Sequence, residues 1–427
     1  MTSLRRRLRR QFPSLDLAFL TDSTIVTIGI ALARVLGFGF SFVLARRLST
    51  ESFGFIQYTI TLAGVVAIGT QPFVQHVLAR FVAKNKEDAE RLAQTLHAVW
   101  FVLLGIVGVT MVIALPILIV SGQLNIGVLI IFLGVTLFNS YYGLARGFMA
   151  SRRLLAAYLG SNLVQIIAIL LVYQDETTTS PTPALLIYGL SYLAPLIILQ
   201  VWKPLPIRFR LAFPDRAIAT ELIRFSLPIW VSHTAYIFYA GMDILLLERY
   251  TDTSSVGLYA LTKTLSMIFS FVPVGLITIL LPKIASIPTE QHAALLKKTM
   301  LAALAANGAT LIVFLVGYRW FITTFIGANY LVSMDVALML VLAEILFGFH
   351  GIITAVLVGS NNPQLETVSR ITIVLTAGVL GMLLIPRYGL SGAGLMMLCC
   401  GVVAVLTYGV AGLIQRQRRN RTALASH

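Results

Sequence analysis

Charge is scarce in this chain of 427 residues: Asp, Glu, Lys and Arg make up 11% of it, while 58% is hydrophobic. Soluble domains carry about 25% charged and about 45–50% apolar residues. A soluble globule is therefore excluded, and the composition is that of a polytopic membrane protein. Cysteine is almost absent too. The two present, Cys399 and Cys400, are neighbours in an apolar run. Adjacent residues of a helix are poorly placed to bond each other, so there is no disulfide framework and no metal-ligand spacing. No nucleophile elbow, zinc motif or phosphate-binding glycine loop occurs. Acidic residues are the rarer sign, 17 against 32 basic ones, for a formal charge of +15. That excess suits either nucleic acid or membrane orientation, and its distribution decides.

A helix needs ~20 mostly apolar residues to cross a bilayer. Runs of that kind predict about twelve transmembrane helices, near residues 24–44, 55–78, 95–120, 124–145, 154–173 and 183–201, then 223–247, 256–281, 300–316, 336–358, 371–385 and 390–414. With twelve spans both ends share one side. That side holds 25 of the 32 basic residues, and the other side holds 5: Arg46, Arg47, Arg249, Arg319 and Arg387. Arg34 and Lys263 fall inside helices. Basic residues gather on the cytosolic face, so both termini are expected in the cytosol. The high charge is then orientation chemistry, and no nucleic-acid partner is expected. The start, "MTSLRRRLRRQFPSL", reads as a cytosolic topology anchor. A twin-arginine signal would have a short apolar core and a nearby cleavage site.

The stretch "LARRLSTESFGFIQY" (Leu44 to Tyr58) has an echo in "LLERYTDTSSVGLYA" (Leu246 to Ala260). Each ends a long helix, passes an arginine and a polar loop, and restarts at a glycine, Gly54 or Gly257. Each following helix contains a proline, Pro72 or Pro273. A repeat that restarts after six spans keeps its orientation. It predicts an all-α fold of two six-helix bundles related by a pseudo-two-fold axis along the membrane normal. The expected division is a basic segment 1–23, a first bundle 24–202, a basic linker 203–222, a second bundle 223–414 and a basic tail 415–427.

Residues three and four apart share a helix face. Arg34 shares one with Thr27, Gly37 and Ser41; Gln57, Thr61, Gly64, Gln71 and Gln75 form a stripe on the second helix. Asn139 and Asn162 belong to similar stripes on the fourth and fifth, and Lys263 to one on the eighth. Small and polar residues also serve as glue between packed helices. Ionisable ones face a bundle interior or a wet path, because a charge at mid-membrane costs roughly 2.5–3.5 kcal/mol. Arg34, Gln71, Gln75, Asn139, Asn162 and Lys263 are thus the candidate cavity residues. Asp243, Glu344 and His350 are candidates for coupling to Na⁺ or H⁺, and no other cofactor is expected. Asp243 and Lys263 have a second reading, as a structural ion pair of antiparallel neighbours.

These residues resemble the oligosaccharide flippases of the polysaccharide-biosynthesis group. Its superfamily also holds the multidrug-and-toxin extruders and the lipid II flippase. The likeness is carried by the two echoing stretches and by "IPRYGLSGAGLM" (Ile385 to Met396), which is similar to the group's proline–tyrosine–glycine turn into helix twelve. The resemblance implies two bundles around a central cavity. It also implies transfer of undecaprenyl-diphosphate-linked oligosaccharides to the periplasmic leaflet, for O-antigen, capsule or exopolysaccharide. Implied partners are that lipid-linked sugar, membrane lipid, and polysaccharide polymerase and chain-length proteins. Arg34 would hold phosphate, since its planar fork gives two parallel bonds. Tyr141, Tyr142, Tyr236 and Tyr259 would either stack on sugars or pack. Two rivals stand beside this reading. One is a cation-coupled multidrug or small-solute antiporter using Asp243 or Glu344. The other is a membrane polymerase, ligase or glycosyltransferase. Such enzymes need a sizeable external loop, and none is expected here, so the chain reads as a non-enzyme.

Overall fold

The computed structural model describes residues 17–148, 150–174, 180–202, 215–332, 334–359 and 364–425. Among them regular structure is helical throughout. Lipid cannot hydrogen-bond backbone N–H and C=O groups, and a helix satisfies them within one segment. The helices are α1 (Leu17–Arg47), α2 (Thr50–Val66), α3 (Leu78–Asn85), α4 (Ala89–Val120), α5 (Ile126–Gly147), α6 (Ser151–Val172), α7 (Thr182–Ser191) and α8 (Ala194–Trp202). The second series is α9 (Arg216–Tyr250), α10 (Thr253–Ser266), α11 (Phe271–Ser286), α12 (His292–Phe321), α13 (Met334–Gly359) and α14 (Gln364–Ala425).

Among the described residues, nine helical stretches are long and apolar enough to cross a membrane. The expected first and seventh spans lie on α1 and α9, which are outside those nine. The expected eleventh and twelfth both lie on one stretch, Leu365–Gly409. That stretch folds at Gly389, whose φ of 54° is left-handed. Glycine takes this conformation without a Cβ clash, which is why the turn carries one. Of the expected basic segments, 1–16 and 203–214 lie outside the described residues, and 215–222 opens α9. Large apolar side chains point outward on α4 (Val112, Ile113, Ile117) and α12 (Ile312, Val313, Val316). In water such a surface would be an aggregation hazard, whereas in lipid it is the solvent-facing side.

The repeat is visible in detail. Ser49 caps α2 by accepting a 3.1 Å bond from Ser52 N–H, and Asp252 caps α10 by accepting a 2.7 Å bond from Ser255 N–H. The two capped ends cross each other at the echoing glycines. A Cβ on Gly54 would strike the Thr253 carbonyl and lie 2.8 Å from the Gly257 nitrogen; one on Gly257 would strike the Thr50 carbonyl and lie 3.0 Å from the Gly54 nitrogen. The reciprocity is that of a pseudo-two-fold axis. Thr50 and Ser254 hydroxyls meet across it at 2.8 Å. Further along, each helix tightens just before its proline, into 3₁₀ turns at Ala67–Gly69 and Met267–Ser270. Proline lacks the N–H that the carbonyl one turn earlier needs, so both repeats loosen at the same place. The first then runs through a π segment, Phe73–Val77.

Candidate functional site

Residues of α1 and α2, together with α9, α10, α11, α13 and α14, line an open cavity of about 790 Å³. Arg34, Gly37 and Ser41 line it from α1, in the register expected from the sequence, and Gln57 lines it from α2. The Arg34 side chain is exposed. Among the described residues it makes no ion pair and no hydrogen bond to protein. A guanidinium has five donors, so Arg34 brings an unanswered anion-binding group to the cavity wall.

Lys263 also reaches the wall, but it is answered. Its ammonium donates to Asp243 Oδ2 at 2.6 Å and to the Ala240 carbonyl at 2.7 Å. Tyr259 donates to the same Oδ2 at 2.8 Å, and the Ile244 N–H donates to Oδ1 at 2.9 Å. Asp243 and Tyr259 are fully buried. Desolvating two charges costs several kcal/mol per ion unless the pair is close and its remaining sites are bonded, and here both conditions hold. The geometry is that of the structural ion pair, with the lysine facing the cavity. Asp243 itself lies behind the wall.

Glu344 of α13 lines the cavity half-buried. Among the described residues no donor reaches its carboxylate. His350, one and a half turns further, is bonded to Ser369 at 2.9 Å and stacked on Tyr408 at 4.8 Å with 8° between planes. It lines the cavity with one edge already spoken for. The sequence reading missed two neighbours, Glu366 and Arg370 of α14, which also line it. Arg370 donates from Nε (3.0 Å) and Nη2 (2.6 Å) to Glu366 Oε1, and its guanidinium carbon lies 5.2 Å from the ring centre of Tyr236. Arg370 was counted among the flanking orientation charges, which made its side chain unremarkable. The acid four residues earlier was the available clue.

The remaining candidates lie elsewhere. Gln75 donates to Asn139 at 2.7 Å, joining the π segment to α5 within the first half. Asn162 donates to the carbonyl of Tyr158, one turn back on α6, at 2.8 Å. Gln71 sits at the loosened turn before Pro72 and does not line the described cavity. Of the four tyrosines, Tyr236 lines the cavity, Tyr259 holds Asp243, Tyr141 is buried, and Tyr142 packs edge-on against Tyr158. A seam between the halves also went unseen: the His76 and His233 rings meet at 5.5 Å, and Arg80 lies 4.1 Å over Phe225.

Comparison with known proteins places this geometry. The family model described as "Polysaccharide biosynthesis protein" matches residues 19–288. No curated protein sequence matches the chain. Among solved structures, the chain is similar to "Lipid II flippase MurJ, inward closed conformation", with TM-score 0.72 and 16% identity over 91% of this chain and 87% of that one. It is similar to an inward-facing multidrug resistance MATE family transporter, with TM-score 0.69 and 14% identity over 91% and 96%. Against an outward-facing MATE transporter the TM-score is 0.53, with 17% identity over 94% and 95%. At these identities the likeness is one of fold: an all-helical membrane protein with two pseudo-symmetric lobes.

Proposed function

The chain belongs to the polysaccharide biosynthesis protein family, and on that premise we propose that it is a flippase for undecaprenyl-diphosphate-linked oligosaccharides. It carries them from the cytosolic to the periplasmic leaflet of the inner membrane, for a surface polysaccharide. The single observation behind this reading is Arg34, a guanidinium without a carboxylate partner among the described residues, exposed in a cavity of about 790 Å³. An unpartnered cation in a membrane protein marks a path or an anion site, and a diphosphate is an anion whose oxygens suit a two-pronged donor. The polar glycan needs water that hydrocarbon lacks, and the cavity provides room for it. The tail stays in lipid.

Under the orientation given by the basic residues, the glycine crossing is at the periplasmic end. Other contacts between the halves lie there too: Tyr330 donates to the Leu48 carbonyl at 3.3 Å, and Phe53 packs edge-on against Tyr330. We read this as a state sealed at the periplasmic end, with His76–His233, Arg80–Phe225 and the 3.2 Å Lys84–Glu221 pair bridging the halves on the cytosolic side as well, and bundles 24–202 and 223–414 rocking to open the periplasmic end. A likeness to two inward structures fits this assignment. Partner polymerase and chain-length proteins would act on the product.

The test is surface polysaccharide in a deletion strain complemented with variants. Arg34→Ala and Arg34→Lys should each reduce the polymer below a tenth of wild type, at equal protein level in the membrane. The lysine keeps the charge but not the fork. Normal polymer with Arg34→Ala would overturn the phosphate role. A second reading, a cation-coupled antiporter, is favoured by Glu344, a carboxylate in the cavity without a donor among the described residues. It predicts drug sensitivity in the deletion strain with intact polysaccharide, and loss of a Na⁺ or H⁺ dependence in Glu344→Gln.

A further inference from the structure

The cavity divides its charges unevenly. Arg34 has no carboxylate bonded to it among the described residues, whereas Arg370 is neutralised by Glu366, with both of the latter side chains about a quarter exposed. Both Arg370 bonds go to Oε1 of that carboxylate. Among the described residues nothing donates to Oε2. The pair therefore presents a free acceptor beside free guanidinium donors, with no net charge.

Tyr236 lies against this pair. Its ring is 43% exposed and lines the cavity. The ring is held in place: Arg370 lies over it at 5.2 Å, Tyr239 meets it at 5.4 Å and 87°, and His233 at 6.0 Å. A tyrosine ring has an apolar face that can pack against a flat apolar surface and a hydroxyl that can stay wet. By the repeat, Arg34 aligns near Tyr236, so the pseudo-two-fold axis relates the two positions, and both side chains line the cavity.

We propose that Tyr236, Glu366 and Arg370 form a sugar-reading subsite that takes a pyranose next to the diphosphate. The inference rests on the flippase reading above and adds what selects the glycan. A pyranose has a C–H face that stacks on a ring. Its neighbouring hydroxyls both donate and accept, which matches a carboxylate oxygen beside guanidinium N–H groups. A phosphate does not fit this pair, because the Glu366 carboxylate bonded to Arg370 repels it, whereas no carboxylate is bonded to Arg34 among the described residues. Charge thus sorts the two ends of the substrate between the two walls.

The test measures binding to the full chain in nanodiscs. One probe is undecaprenyl diphosphate. The other is the lipid-linked oligosaccharide that accumulates in a strain lacking the protein. Wild type should prefer the glycosylated lipid by about tenfold or more in Kd. Glu366→Gln and, separately, Tyr236→Leu should bring the two Kd values together and leave that for undecaprenyl diphosphate within twofold. Arg34→Ala should weaken both probes. Absence of preference in wild type, a preference retained in both variants, or equal loss of both probes in both variants overturns the subsite. If Arg34→Ala changes neither Kd, the phosphate role fails while the sugar preference is still read from the other two variants. Either variant alone decides if the other does not fold.

Discussion

The crossing of α2 and α10 makes a quantitative prediction that does not depend on the substrate. Carbon atoms rest about 3.5–4.0 Å apart. A Cβ on Gly54 would lie 2.8 Å from the Gly257 nitrogen and 3.0 Å from the Thr253 carbonyl carbon, with the Thr253 oxygen nearer still. These are backbone atoms of a capped helix end and cannot rotate away. Gly54→Ala must therefore push the helices apart by about 1 Å or break the Thr50–Ser254 bond. Overpacking of this kind costs roughly 1–3 kcal/mol. If the seam exists only in the state closed at this end, the cost falls on that state alone. The population then shifts toward the opened state by about 5–150-fold. Spin labels at Ser121, in the turn after α4, and at Tyr388, exposed beside the Gly389 kink of α14, report it as a longer distance in nanodiscs. Gly64→Ala is the control on the same helix, since a Cβ there meets nothing within 4 Å. The reasoning fails if Gly54→Ala gives a distance distribution and melting temperature indistinguishable from those of Gly64→Ala.

Three further outcomes are expected. With Cys399 and Cys400 replaced by serine, Thr50→Cys paired with Ser254→Cys should cross-link on oxidation, because the parent hydroxyls stand at 2.8 Å. The cross-linked protein should stop transporting and recover with dithiothreitol; transport by fully cross-linked protein would refute opening at this end. Asp243→Asn or Lys263→Met alone should destabilise the protein by about 3–5 kcal/mol in detergent melts, since each strands a buried charge. The double variant should regain more than half of that loss, and simple additivity would mean the pair is not coupled. Arg34→Ala, which removes no hydrogen bond or ion pair among the described residues, should leave the melting temperature within a degree or two of wild type while abolishing the polymer. A large drop would assign Arg34 a structural role.

What was legible in the sequence follows from what repeats. Gly54 and Gly257 stood out because the same spacing occurs twice, and the physical reason is one contact seen from both sides. Pro72 and Pro273 stood out likewise, each loosening its helix at the same turn. Arg34 was legible because a charge in a long apolar run is expensive wherever it points. The polar residues were harder. Helical spacing gives the face of a side chain but not what that face meets. Gln75 and Asn139 share the stripe character of true cavity residues, yet they face each other across a packed seam. Asn162 turns back on its own helix. Arg370 failed in the other direction: at the end of an apolar run it is indistinguishable from an orientation charge until α13 and α14 are seen to flank the same hollow.

The distribution of satisfied and unsatisfied charge is the stronger guide. Lys263, Asp243 and Tyr259 close on one another with bonds of 2.6–2.8 Å, and such a set needs nothing from outside. Arg370 and Glu366 close by half, one carboxylate oxygen used and one free. Arg34 and Glu344 line the same hollow and feel each other's charge, but among the described residues neither makes a hydrogen bond or an ion pair. An anionic head group drawn to Arg34 meets Glu344 as a like charge, so the carboxylate opposes binding unless it takes up a cation or a proton. Substrate entry and neutralisation of Glu344 are therefore linked, and linkage is reciprocal. Binding of undecaprenyl diphosphate should tighten as pH falls, and Glu344→Gln should bind it more tightly with a flatter pH dependence. An unchanged pH dependence in Glu344→Gln would place the charge compensation on another group and detach Glu344 from the transport cycle.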